Sequence, residues 1–281
     1  MSRIRPSTIV LLGGLVVTLA AGAGTAAHAQ YAADNVLRDF EPSGDWILRL
    51  DGREVPKARV YSSQRAGSLL VRTSELPSPV LLDLRGRTVS VLDLLKVAER
   101  TDGTIDLLAD AVLEPAGSFR VVDGEGRFAV AGRDAVIAPR PHKIGPQEGA
   151  ELLESNPGYQ WRAKRYTPDP AALERLRSEK RDIRVLTFFG TWCPHCSEHL
   201  PYLLKAEQKL DGAGIEFDYH GLPTTISSDP EAVRWKVEAV PTAIVLVRDQ
   251  KGERELGRLP TRYWSNPEVG IDLMLHPPGA R

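Results

Sequence analysis

The sequence predicts an α/β chain: a mixed central sheet flanked by helices in the C-terminal part, preceded by a mostly antiparallel β-rich domain. Three observations point there. Residues 168–281 alternate apolar strand-like runs with helical stripes, and residues 31–145 break short apolar runs with Asp-Gly and Arg-Gly pairs. Between them Pro139, Pro141, Pro146, Pro157, Pro168 and Pro170 punctuate a junction. A chain of 281 residues suits two such domains.

Residues 1–29 read as a secretory signal peptide. Arg3 and Arg5 precede the apolar run Ile9 to Ala20, and Ala27-His28-Ala29 supplies a small-x-small cleavage pattern. No cysteine lies near the cut, which argues against a lipoprotein. An uncleaved anchor is the rival, since 9–27 approaches the roughly 20 residues a spanning helix needs. Either way the remainder is expected outside the cytoplasm, in a bacterial periplasm. The 36 basic and 37 acidic residues nearly balance, so no nucleic-acid footprint is present. Loss of Arg3 and Arg5 with the leader would move the formal charge from −1 to −3.

In residues 31–145 the runs 46–50 and 80–84 end at Asp51-Gly52 and Arg85-Gly86. Asp102-Gly103 divides 97–100 from 104–108, and Asp123 to Gly126 divides 119–122 from 127–130. Asp-Gly between such runs is a hairpin signal. Residues 92–99 could form a short helix instead. No catalytic constellation appears, and the acids sit mostly in turns, where turn chemistry explains them. The expected roles are docking a partner, covering the active site or forming a dimer.

Residues 146–167 read as a linker with a short helical candidate at 147–154. Trp161, Arg162, Lys164, Arg165 and Tyr166 form a basic-aromatic cluster. It suits either a recognition surface or a linker packed on the following domain.

From Asp169-Pro170 a helix is expected through about Lys180, with Leu173 and Leu176 inward. The run Ile183 to Phe189 reads as a buried strand, with β-branched and aromatic residues and no polar face. Gly190 and Thr191 break it, and Cys193-Pro194 starts a helix, proline being tolerated at the first helical position. Leu200, Leu203, Leu204 and Leu210 continue the stripe until Asp211-Gly212. A strand at 215–219, a helix from Asp229-Pro230, strands at 243–247 and about 255–259, and a last helix at 267–275 follow.

Cys193 and Cys196 are the chain's only cysteines, three positions apart at a helix start. Unpaired N–H groups and the helix dipole favour an anion there. Such settings lower a thiol pKa to roughly 3.5–7.5. The thiolate is the attacking form in disulfide exchange. Cys196 lies close enough to resolve the mixed disulfide, and a protonated His195 would favour the Cys193 thiolate further. A static disulfide is the bland alternative in an oxidising compartment, but a loop this short constrains little.

Trp192-Cys193-Pro194-His195-Cys196, with Pro201 and the later Val240-Pro241-Thr242, resembles the thioredoxin superfamily across residues 168 to 276. The resemblance implies a thioredoxin fold, with Cys193 the nucleophile, Cys196 the resolving thiol and the pair forming the redox disulfide. It further implies that Pro201 bends the active-site helix and that Pro241 is a cis-proline facing Cys193. Trp192 and Pro241 would shape a shallow groove in which an extended substrate segment pairs near Val240. One position departs: the family usually carries a buried acid six residues before the first cysteine, and here that residue is Thr187. A base for Cys196 would then come from Glu198, His199, His220, Glu238 or water.

The function expected is an exported thiol-disulfide oxidoreductase, inclined to reduction, acting on protein thiols or disulfides and reset by a membrane or periplasmic redox partner. No cofactor and no metal are expected in that reading. Pro194-His195 between the cysteines resembles the disulfide-introducing oxidases, so that direction stands as an alternative. Potentials of such pairs run from roughly −270 to −120 mV, a spread of about 7 kcal/mol that motif reading does not resolve. A different class is copper binding or delivery through Cys193, Cys196 and His199, which are soft enough for Cu(I). A third reading gives the work to the β module and leaves the cysteine domain as scaffold.

Overall fold

The computed structural model describes residues 37–277. The expected leader at 1–29 lies outside them. Among the described residues no helix is long and apolar enough to cross a membrane.

The first part of the chain builds three antiparallel sheets. Six strands, Glu41–Ser43, Arg59–Ser63, Ser68–Arg72, Val80–Asp83, Thr88–Val91 and Glu114–Ser118, lie side by side in that order. A second sheet orders Arg120–Val122, Glu125–Val130, Arg133–Pro139, Trp46–Leu50 and Arg53–Glu54. The side-chain period of two assigns their faces. Leu69 and Val71 join Leu48, Leu50, Phe128 and Ile137 in a core between the sheets. Leu70 points the other way, toward Phe40, Ile105 and Leu107, where the ribbon Val97–Glu99 with Ile105–Leu107 covers the outer face. Asp123 and Gly124 both take positive φ, 52° and 79°, the geometry a two-residue hairpin demands. The helix expected within 92–99 is a single 3₁₀ turn, Leu94–Lys96, after which the chain enters the ribbon.

The last sheet carries the cysteines. Its order is Gly145–Gln147, Ile215–Gly221, Asp182–Phe189, Thr242–Asp249 and Gly252–Arg258. Asp182–Phe189 is the central strand. Ile183, Val185 and Phe189 face the cysteine-bearing core, while Leu186 and Phe188 face a second cluster with Leu222, Ile244 and Leu246. Helices Gly149–Ser155, Pro157–Arg165, Pro170–Arg177, Pro194–Lys209 and Pro267–Leu275 contribute to the first core. Residues 145–165, read from sequence as junction and linker, thus hold an edge strand and two packed helices.

The α/β class, and the thioredoxin core expected with it, is corrected by this arrangement. The molecule is β-rich, with more residues in strands than in helices and three sheets wholly antiparallel. Even the sheet beneath the cysteines has one parallel pair, Asp182–Phe189 with Ile215–Gly221; its other three pairs are antiparallel. The physical reason is that residues 41–139 fold almost wholly into short strands, which outweigh the helices of the C-terminal part. Tight turns dominate the rest of the chain, and they make antiparallel neighbours.

Candidate functional site

The central strand ends at Phe189, and the chain turns through Gly190 toward Cys193, whose N–H donates to the Gly190 carbonyl at 3.0 Å. Gly190 has no alternative: a Cβ there would lie 2.5 Å from the Trp192 ring. Trp192 is fixed by its indole N–H, which donates to the Leu222 carbonyl at 2.8 Å. Cys193 caps the helix Pro194–Lys209 with extended backbone, φ −93° and ψ 119°, and Pro194 takes the first helical position. The Cys193 carbonyl accepts the Ser197 N–H at 3.0 Å, so the first turn is closed. Pro201 sits inside this helix.

The two sulfurs differ in surroundings. Both residues are thiols. Cys193 is 6% exposed and its Sγ donates to the Val240 carbonyl at 3.5 Å. Cys196 is fully buried, one turn further in, and its sulfur accepts the Gly190 N–H at 3.4 Å. Burial pushes the Cys196 thiol well above the ordinary range, and the neighbouring Cys193 adds to that, against a smaller opposing effect of the Gly190 N–H. A fully shielded thiol thus lies one turn behind one that is 6% exposed.

Val240, Pro241 and Thr242 are half-buried beside Cys193, and the Val240-Pro241 peptide is cis. Thr242 anchors the turn by donating its hydroxyl to the Ala239 carbonyl at 2.8 Å. Pro194 and His195 are exposed. The His195 ring stacks over His199, centroids 6.4 Å apart.

The bases named from sequence are dispersed. Glu198 and Glu238 are exposed. His220 is held by Asp229, Nε2 to Oδ2 at 3.0 Å. His199 lies 3.8 Å from the Glu198 carboxylate, and burial lowers its pKa. Among the described residues the group that converges as a metal-ligand set is His195, Glu198 and His199, with ligand atoms within 4.8 Å. The cysteines are not part of it, so the copper set Cys193, Cys196 and His199 is not the one brought together. Thr187 is fully buried with its hydroxyl unpaired.

Sequence reasoning missed the wall facing the cysteines. An open cleft of about 820 Å³ runs between the N-terminal sheets and the start of the helix, with Asp45, Trp46, Tyr159, Trp192, Cys193 and Ser197 on its sides. The basic-aromatic cluster holds the two parts together: the Trp161 indole N–H donates to the Asp102 carbonyl at 2.7 Å, and Arg165 pairs with the Asp102 carboxylate at 2.6 Å. Arg162 reaches Glu41 at 3.0 Å. The signal that could have found this was Trp161 among arginines, which suits an interface as well as a linker.

No protein-family model and no curated protein matches the chain. Among solved structures, a protein of unknown function from Pseudomonas aeruginosa is similar at 22% identity, over 47% of this chain and 92% of that one, with a TM-score of 0.35. An HIV epitope scaffold is similar at 20% identity, over 47% of this chain and 93% of its own, also at 0.35. Likeness at that level assigns neither a fold nor an activity, and no relationship to the thioredoxin superfamily follows from it.

Proposed function

We propose that the protein is a thiol-disulfide oxidoreductase acting on protein substrates, with Cys193 as attacking thiol and Cys196 as resolving thiol. The observation that carries this reading is the asymmetry of the pair: Cys193 at the helix start, against the Val240 carbonyl, and Cys196 fully buried one turn behind. Helix N-termini favour the thiolate that exchange requires. The Trp192-to-Cys196 and Val240-to-Thr242 motifs, which resemble those of the thioredoxin superfamily, support the same chemistry. Reduction of substrate is the direction we assign, from the motif's surroundings and the uncharged Thr187. The N-terminal pattern supports action outside the cytoplasm, with a separate redox partner resetting the pair.

In the reaction the Cys193 thiolate attacks one sulfur of a substrate disulfide, and the other substrate sulfur leaves as a thiolate. Cys196 then displaces the remaining substrate sulfur, and the Cys193–Cys196 disulfide forms. The substrate gains two electrons and the pair loses two. An extended substrate segment lies beside Val240, whose backbone borders the reacting sulfur.

The experiment is trapping. Cys196→Ser should accumulate mixed disulfides with protein substrates, and Cys193→Ser should accumulate none. Full insulin-reducing activity in both single variants would overturn the assignment.

A further inference from the structure

Resolution needs somewhere for the Cys196 proton to go. With Thr187 uncharged and Glu198, His199, His220 and Glu238 outside the core cluster, the cysteine-bearing core offers two buried tyrosines, and the Tyr219 hydroxyl already donates to Glu207 at 2.8 Å. The Tyr159 side chain is 2% exposed and packs in the same core as both cysteines, yet its hydroxyl has no hydrogen-bond partner. Leaving such a group unpaired is costly, so it calls for an explanation. Tyr159 and Ser197 line the same cleft, and burial keeps the Tyr159 phenol protonated.

From Ser197 the path leaves the core. Ser197 Oγ donates to Asp45 Oδ1 at 3.5 Å, and Asp45 lines the cleft from the N-terminal side. Asp45 is held firmly. Its N–H donates to Ser43 Oγ at 3.2 Å, and its carbonyl accepts the Arg140 N–H at 2.7 Å. The preceding Gly44 fits directly against the helix that carries Tyr159. A Cβ on Gly44 would fall 1.8 Å from Asn156 Oδ1, the atom that caps that helix by accepting the Tyr159 N–H at 3.1 Å. Asp45 and Tyr159 are therefore positioned by one close backbone approach.

We propose that Asp45, reached through the Tyr159 and Ser197 hydroxyls, accepts the proton of Cys196 as it resolves the mixed disulfide; this rests on the exchange reading above. Cys196 Sγ–H gives its proton to Tyr159 Oη while the Tyr159 proton passes to Ser197 Oγ and the Ser197 proton to Asp45 Oδ1. The freed Cys196 sulfur bonds to Cys193 Sγ, and the Cys193–substrate S–S bond breaks with its electron pair going to the substrate sulfur. Asp45 then returns the proton to solvent through the cleft. Long contacts in a ligand-free site are expected to tighten when substrate occupies it. The N-terminal sheets thereby supply part of the reaction centre.

The test uses the full chain, reduced, with dithiobis(nitrobenzoate) as the disulfide probe. Attack by Cys193 releases one coloured thiolate, and resolution by Cys196 releases the second. Asp45→Asn and Tyr159→Phe should each slow the second release about 100-fold, a typical loss for removed acid-base catalysis, with the first release unchanged. The double variant should be no slower than the slower single one, because both act on one path. Added formate should restore the second release in Asp45→Ala, which a packing role would not allow. A second release unchanged in the variants, or a loss that formate leaves unrepaired, overturns the relay alone. A single release from the unmodified protein overturns the relay and the exchange reading together.

Discussion

The N-terminal sheets and the cysteine-bearing body bury different kinds of polar group. In the first, the buried polar residues are small hydroxyls, Ser43, Ser63, Ser68, Ser90 and Thr104. Ser63, Ser68 and Thr104 each donate to a nearby oxygen, as with Ser63 Oγ to the Arg38 carbonyl at 2.9 Å. The second buries carboxylates, Asp229, Glu268 and Asp272, and among the described residues it holds all the unpaired buried polar atoms, on Tyr159, Thr187 and His199. Buried charge and unpaired groups cost stability. Among the described residues that cost falls in the cysteine-bearing body, while the sheets bring Asp45 to the wall of the cleft beside it.

The largest expected effects separate core from chemistry. Phe189→Ala should cost about 3–5 kcal/mol and Leu82→Ala about 2–5 kcal/mol, each read from urea unfolding. Both residues are fully buried. Only Phe189, beside the turn to Cys193, should slow attack on a small aromatic disulfide. If Leu82→Ala slowed that first step equally, the division between the two regions would be wrong.

A second pair compares their buried polar groups directly. Glu268 accepts the Tyr166 hydroxyl at 2.7 Å and the Asp169 N–H at 2.9 Å. Glu268→Gln turns one acceptor into a donor and should cost about 1–3 kcal/mol. Ser63→Ala should cost about 0.5–1.5 kcal/mol, the usual net worth of one hydrogen bond. Equal losses in the two variants would erase the contrast.

The smallest effect concerns the seam between the regions. The Thr104 hydroxyl and N–H, and then Arg165, hold the Asp102 pKa down to about 2. A depressed carboxylate adds stability that is present above its unfolded pKa, near 4, and is lost as pH falls toward 2. The group is exposed, so the effect is modest. Trp161, which donates to the Asp102 carbonyl, should report it. Its fluorescence should change between pH 4 and 2, and Asp102→Asn should flatten that change; an unaltered titration would remove Asp102 from the seam.

The legible part of this molecule is local. Pro194 after Cys193 marks a helix start, Asp123-Gly124 marks a hairpin, and Ile183 to Phe189 shows its burial by composition alone. The excess of strand over helix was harder to read, because the short runs of residues 41–139 are too brief to show a period. The edge strand Gly145–Gln147 carries a proline and three residues, too few for any period. Asp45 stayed hidden for another reason. It sits 152 positions before Ser197, and only the docking of two folded parts brings them together. Tyr159 looked like part of a linker because its burial depends on a helix capped by Asn156, which the prolines around it obscured.

The most direct test of the central claim is the equilibrium of Cys193 and Cys196 in a series of glutathione redox buffers, followed by mass spectrometry of the alkylated protein. The account predicts one reversible two-electron transition to an intramolecular disulfide, with a midpoint between roughly −270 and −120 mV. Glutathione adducts alone, or thiols unchanged across the series, would contradict it.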